Sequence, residues 1–378
     1  MARAEDPGLA DLPTPHFLID EARLQENLQV ISTIRERSGA RSVLALKCFA
    51  TPAVFELMAA HMAGTTSSSV NEARLGHERF GGETHAYSVA WSRDEVREVA
   101  TFADKVIFNS ASQLRALAAD AGGARIGVRV NPGVSNSDYD LADPARPNSR
   151  LGITSAAELR EVVAEIPLSG LMFHFNCENA DAGSVVASIE SIAADFGDVL
   201  ETMEWLSLGG GIAFTDPDFD LDAFCDALRS LAERFGVQVY LEPGEAAITG
   251  TCELVTTVLD VVHNLTDVAI VDAAVETHLP DHLIYGTSPR LVDAPAGDHR
   301  VVIAGRTCLA GDEFGTYDLA SPLRVGDSVR FADTAGYTMV KTNWFNGIPM
   351  PSIAVRRLDG TVELVREFTY DDFVEHLS

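Results

Sequence analysis

Between residues 42 and 243 short apolar runs alternate with segments of helical period, and no other feature constrains the fold as tightly. Eight runs have strand length and are rich in β-branched and aromatic residues: "SVLALK", "GTTSSSV", "HAYSV", "KVIFN", "RIGVRVN", "GLMFHF", "WLSLGGG" and "VQVYLEP". Between most of them lie helix-compatible stretches such as "PAVFELMAAHM", "SRDEVREVATF", "SASQLRALAAD", "AAELREVVAEI" and "LDAFCDALRSLAERF". Several open with Ser, Asp or Pro, as first turns do. Strand–helix units in this number and length predict a (β/α)8 TIM barrel. An open doubly wound sheet is the rival, but the GxGxxG turn expected after its first strand is missing.

The pattern changes after about residue 250. "CELVTTVLDVVHN", "DVAIVDAAV", "RVVIAG", "SVRFADT", "SIAVRRL" and "VELVREF" follow with turn residues and little helix between them, which reads as a β-rich domain. The early "HFLIDEARL" is strand-like and precedes the barrel. The expectation is an α/β chain with a barrel over residues 21–250 and a β-rich C-terminal domain over 251–378, joined by a strand at about 13–20.

Charge and cysteine usage limit the partners. Asp and Glu number 56 against 28 Lys and Arg, a formal charge of −28, which argues against nucleic acid or an anionic membrane as partner. No apolar run approaches a membrane span, and "MARAEDPGLADLPTP" lacks the basic start and apolar stretch of a signal peptide. A cytoplasmic location is expected. The five cysteines (48, 177, 225, 252 and 308) are scattered and form no CxxC pair, so no structural metal is expected.

Active sites of such barrels sit at the C-terminal ends of the strands. Those ends carry Lys47, Ser69, Asn109, Asn131, His174, Gly209–Gly211 and Glu242. Uncovered N–H groups in the glycine turn can cradle a phosphate, although a plain tight turn would also use glycine. Glu242 ends an apolar strand and needs a partner, for which a salt bridge to arginine is the plain alternative. Lys47 is one of three lysines, with Lys105 and Lys341. Alone it would read as a stem reaching water. Beside a phosphate cradle and an acid it reads as a desolvated amine able to attack a carbonyl, the set that pyridoxal phosphate needs.

The motifs "ALKCF", "RVNPG", "SRLG", "HFNCEN", "LGGGI", "LEPGE", "RTCLAGDEFG" and "AGYT" with a later "FNG" resemble the alanine-racemase-like (fold type III) pyridoxal-phosphate decarboxylases over almost the whole chain. The likeness is greatest to the branch acting on carboxynorspermidine and carboxyspermidine. Basic amino-acid decarboxylases of the group typically read "EPGR", where this chain has Glu245. The resemblance implies that Lys47 is the Schiff-base lysine, that His174 stacks on the pyridine, and that Gly209, Gly210, Gly211 and Tyr337 bind phosphate. It places Glu242 at the pyridine nitrogen. It also implies a homodimer with shared sites, in which Cys308 helps protonate the substrate carbon and Asp312 faces the substrate's amine end. Arg150 is a candidate for a carboxylate or phosphate contact, and Glu178 and Glu245 for the ammonium groups of a polyamine. Plainer readings stay open: Cys308 as a small buried residue, Asp312 as a turn residue and Arg150 as a surface ion pair. So do a diaminopimelate-type decarboxylase and a pyridoxal-phosphate carrier without turnover.

Overall fold

A computed structural model describes residues 12–134, 136–137 and 139–378. Most of the stretch read above for a leader, residues 1–11, lies outside them. The chain divides into a unit spanning Gln25–Ala247 and a unit made of the chain up to Leu24 together with Ile248–Ser378.

In the first unit eight parallel strands close into a barrel. They are β2 (Arg41–Ala45), β3 (Gly64–Ser67), β4 (Glu83–Tyr87), β5 (Lys105–Phe108), β6 (Arg125–Val130), β7 (Gly170–Phe173), β8 (Trp205–Ser207) and β9 (Gln238–Leu241). Each pairs with its sequence neighbour, and β9 closes on β2 with Arg41 opposite Tyr240 and Ser42 opposite Leu241. Helices such as Leu221–Phe235 bury one face, here Phe224, Cys225, Leu228, Leu231 and Phe235. Its start is capped by Asp220 and its end by Gly236 in the left-handed conformation, so both termini are written into the sequence.

The barrel interior is packed with Val43, Tyr87, Ile107, Met172, Trp205 and Tyr240. Trp205 fits because two neighbours lack side chains: a Cβ on Gly170 would lie 2.1 Å from its ring, and one on Gly127 2.5 Å. Lys105, fully buried, is held by Glu83 Oε2 at 2.5 Å, His85 Nε2 at 2.9 Å and Tyr240 Oη at 3.3 Å. Burial works to raise the Glu83 carboxyl, but hydrogen bonds from His85, Lys105 and Tyr240 outweigh it and hold the group far below the usual range. This lysine is part of the barrel's framework.

In the second unit β1 (His16–Asp20) pairs antiparallel with β10 (Cys252–Asn264) and parallel with β15 (Ser352–Arg356). The early strand therefore joins the C-terminal sheet, as its sequence suggested. The other strands are β11 (Thr266–Val271), β12 (Ala296–Ala304), β13 (Glu313–Leu319), β14 (Ser328–Ala332) and β16 (Val362–Arg366). The order is β13-β12-β11-β10-β1-β15-β16, with β14 also on β10. The 13-residue β10 serves both halves, pairing with β1 and β14 through Glu253–Val255 and with β11 from Val258 onward. Three helices not expected here, Val275–His278, Pro280–Tyr285 and Tyr370–Leu377, interrupt or follow the strands.

Candidate active site

Barrel closure decides where the first lysine goes. Because β9 lies beside β2, the turn after β2 that carries Lys47 is sewn to the segment after β9 that carries Glu242. Ala45 N donates to Pro243 O at 3.0 Å. A Cβ on Gly244 would lie 2.5 Å from Cys48 Cβ, so the glycine of "EPG" lets the two turns touch. Lys47 is an exposed residue. Its amine is nevertheless crowded by protein, and that desolvation, aided by the Arg129 charge, lowers its pKa against the pull of Glu242, Cys48 and Glu72. It makes no hydrogen bond or ion pair with the described residues. The other two lysines are both paired, Lys105 with Glu83 and Lys341 with Asp281 at 2.7 Å.

Glu242 is buried (6 % exposed), and its Oε1 accepts a hydrogen bond from Ser207 at 2.6 Å. Burial raises its pKa, while Ser207, the Lys47 and Arg129 charges and a bond from Thr66 oppose the rise. No cation lies within ion-pair distance among the described residues, so the expected alternative of an arginine salt bridge is absent there. Among the described residues neutral hydroxyls alone hold the carboxyl.

The glycine turn lies directly on neighbouring strand ends. A Cβ on Gly209 would meet Phe173 O and His174 Nδ1 at 2.6 Å, one on Gly210 the Glu242 carbonyl at 2.3 Å, and one on Gly211 the Asn176 carbonyl at 2.1 Å. Gly209 and Gly211 also have positive φ, so close packing requires glycine whatever the turn binds. Gly210 N donates to His174 Nδ1 at 3.2 Å, which leaves Nε2 to carry the proton of the neutral ring. The ring is neutral: burial, then the Lys47 and Arg129 charges, hold its pKa well below the ordinary value.

Other rim residues divide. Ser69 does not end a strand; it caps the helix Val70–Leu75, accepting from Glu72 N at 3.2 Å. Asn131 Nδ2 donates to Pro144 O at 3.0 Å. Arg150 is exposed, and its carbonyl accepts from Asn109 Nδ2 at 2.7 Å. Glu178 is exposed and Glu245 half-buried. Burial first, then Glu178 and Glu245, raise the Cys177 thiol, while Ser137 and Lys47 act in opposition. Both acids thus stand around one thiol that also feels the Lys47 charge.

Three candidates lie in the second unit. Cys308 is exposed, and its N–H donates to Asn346 Oδ1 at 2.7 Å. Asp312 is buried (3 % exposed) with both oxygens engaged. Oδ1 accepts from Val275 N at 2.8 Å, and Oδ2 from Thr307 N at 3.0 Å and Thr307 Oγ1 at 2.6 Å. Within this chain its carboxylate therefore ties the Val275 and Thr307 backbone together beside Cys308. Tyr337 is half-buried at φ 48°, with Lys341 Nζ 5.0 Å from its ring centroid.

Ser207, Thr66, Arg129 and Tyr87 were not singled out from sequence. Arg129 had a signal, a charge set among apolar residues near the end of a parallel strand. The hydroxyl residues had none, because their roles depend on contacts between strands.

A barrel rim offering an unpaired amine, a glycine turn and a buried acid defines a pyridoxal-phosphate enzyme. A family model described as pyridoxal-dependent decarboxylase, pyridoxal binding domain, matches residues 27–249, and the chain belongs to this family. The carboxynorspermidine/carboxyspermidine decarboxylase of Herminiimonas arsenicoxydans is 50% identical over 367 residues, covering 97% of this chain and all of that one. The carboxyaminopropylagmatine decarboxylase of a Synechocystis strain is 33% identical over 382 residues, covering 99% of this chain and 97% of that one. The crystal structure of carboxynorspermidine decarboxylase from Campylobacter jejuni, complexed with norspermidine, superposes with a TM-score of 0.89 at 30% identity, covering 97% of this chain and 100% of that one. The residues present fit the cofactor. Lys47 offers an amine with no ion pair among the described residues, and Glu242 a buried carboxyl that neutral hydroxyls hold.

Proposed function

We propose that this chain removes the α-carboxylate of carboxynorspermidine or carboxyspermidine, releasing carbon dioxide and leaving norspermidine or spermidine. Lys47 carries the reading: of three lysine amines it alone has no ion pair among the described residues, and it lies beside the segment bearing Glu242. Bound pyridoxal phosphate supplies an aldehyde for amines and a ring that accepts the electron pair left by the departing carboxylate. Lys47 would hold the cofactor through its amine. Ser207 and Thr66 oppose the effect of burial on Glu242, which would sit beside the ring nitrogen and favour a proton there. His174, neutral, would lie against the cofactor's ring, and the N–H groups of Gly209–Gly211 with Tyr337 would hold its phosphate. Cys308 delivers the proton that replaces the carboxylate, and Asp312 sets its loop.

Glu178 and Glu245 are assigned to the ammonium groups of the polyamine, consistent with their placement around Cys177. Arg150 is assigned to an anionic group of substrate or cofactor. The active form is a cytoplasmic homodimer in which Cys308 is supplied across the subunit interface, the arrangement implied by the family resemblance. Among the described residues no helix is long and apolar enough to cross a membrane.

Carbon dioxide release from carboxynorspermidine, carboxyspermidine, carboxyaminopropylagmatine and diaminopimelate, measured side by side, tests the reading. Turnover of either of the first two at least tenfold above the others is expected. Preference for diaminopimelate would overturn it.

A further inference from the structure

Arg129 is 4 % exposed and lies in the barrel with no carboxylate in ion-pair range among the described residues. A buried guanidinium without a counter-ion is costly, so what fixes it matters. Its one hydrogen bond among those residues runs from Nη1 to Tyr87 Oη at 3.1 Å, and its Cζ lies 5.4 Å from the Tyr87 ring centroid. Tyr87 Oη in turn donates to Asn109 Oδ1 at 2.9 Å. Asn109 faces the other way as well: Oδ1 accepts from Gly152 N at 2.9 Å, and Nδ2 donates to Arg150 O at 2.7 Å. A Cβ on Gly152 would lie 3.1 Å from Arg129 Cγ, so this backbone rests on Arg129 itself. Three strand ends and the segment bearing Arg150 thus share one chain of hydrogen bonds, and its three side chains are all buried.

We propose that Tyr87 and Asn109 are positioning residues: they fix the Arg129 charge beside Lys47 and dock the 150–152 backbone on it, making floor and rim one body. The proposal rests on the reading of Lys47 as the residue that captures the cofactor. Arg129 bears on the chemistry because its charge acts against protonation of Lys47 and of His174. If it swings away, the Lys47 amine holds its proton to higher pH and takes up aldehyde more slowly at neutral pH. Asn109 stood out in the sequence as a strand-end residue without a function, and this chain gives it one.

The test uses cofactor capture, which needs no substrate. Full-length protein stripped of cofactor is mixed with pyridoxal phosphate, and the visible absorbance is followed across pH for wild type, Tyr87→Phe, Asn109→Ala and the double variant. The expected result is an upward shift of the capture midpoint by about half a pH unit in each single variant, roughly threefold slower capture at neutral pH. The double variant should match the larger single effect, since both cut the same chain. Arg129→Lys, which keeps the charge, should reverse most of the shift seen in Arg129→Gln. Midpoints unchanged in both single variants, or effects that multiply in the double, would overturn the proposal while leaving the Lys47 assignment intact. Absorbance retained in Lys47→Ala would overturn that assignment instead.

Discussion

Ser207 Oγ donates to Glu242 Oε1 at 2.6 Å, and this bond is the largest influence opposing the upward push of burial on that carboxyl. A bond to a charged acceptor is worth about 1.5–3 kcal/mol, or roughly one to two pH units of titration. Replacing Ser207 with Ala removes it, so the Glu242 pKa rises further. The acid limb of the kcat/KM profile should therefore move up by about one pH unit, while the plateau falls less than about tenfold. A pH–rate series on both proteins measures it.

Lys47→Ala should lose the visible absorbance of covalently held cofactor and at least about 10³-fold in kcat, because no other amine replaces it. Lys341→Ala should keep both, since Lys341 is paired with Asp281. Absorbance spectra of the purified variants separate the two.

Asp312→Asn leaves one acceptor oxygen where two now serve Val275 and Thr307. The loop with Cys308 should loosen at a cost of about 1–3 kcal/mol. The expected outcome is a kcat lowered by about tenfold or more, with KM changed less than about threefold. A rise in KM at constant kcat would return Asp312 to the substrate contact that resemblance implied.

Acid should weaken the fold through its buried imidazoles. His85 is pushed down to about 4 and His278 to about 3, burial being the chief cause in each. In the unfolded chain these rings take up protons near 6.5, so below that pH the unfolded state binds more protons and stability falls. Above it both states are neutral and stability is flat. Urea midpoints should therefore hold from pH 8 to about 6.5. They should then decline toward pH 4, each ring contributing up to about 1.4 kcal/mol per pH unit. Glu83 adds to the loss below the ordinary carboxylate range, because its folded pKa is depressed.

The barrel was legible because each strand is a short apolar run and each crossover has a helical period, local signals that survive without tertiary information. Lys47, His174, Gly209–Gly211 and Glu242 followed from where those runs end. The helix Glu21–Ser38 and the short helices around 275–285 were missed, and so was β13, whose "EFGTYDL" lacks a clear apolar run. Ser69 was misplaced because a hydroxyl-rich stretch reads equally as strand end and helix cap. Ser207, Thr66 and the Tyr87–Asn109 link act across strands distant in sequence, and no local pattern reports such pairs. The bonds joining Asp312 to Val275 and Thr307 had no signal in the sequence either, because they link residues 37 and 5 positions apart.

Closing β9 against β2 has one more outcome. The lysine and the acid belong to opposite ends of the barrel's sequence, so any fragment that stops short of the final strand carries one without the other. Colour on adding pyridoxal phosphate therefore reports a completed ring of strands. In a refolding experiment it should rise together with the pairing of Arg41 opposite Tyr240.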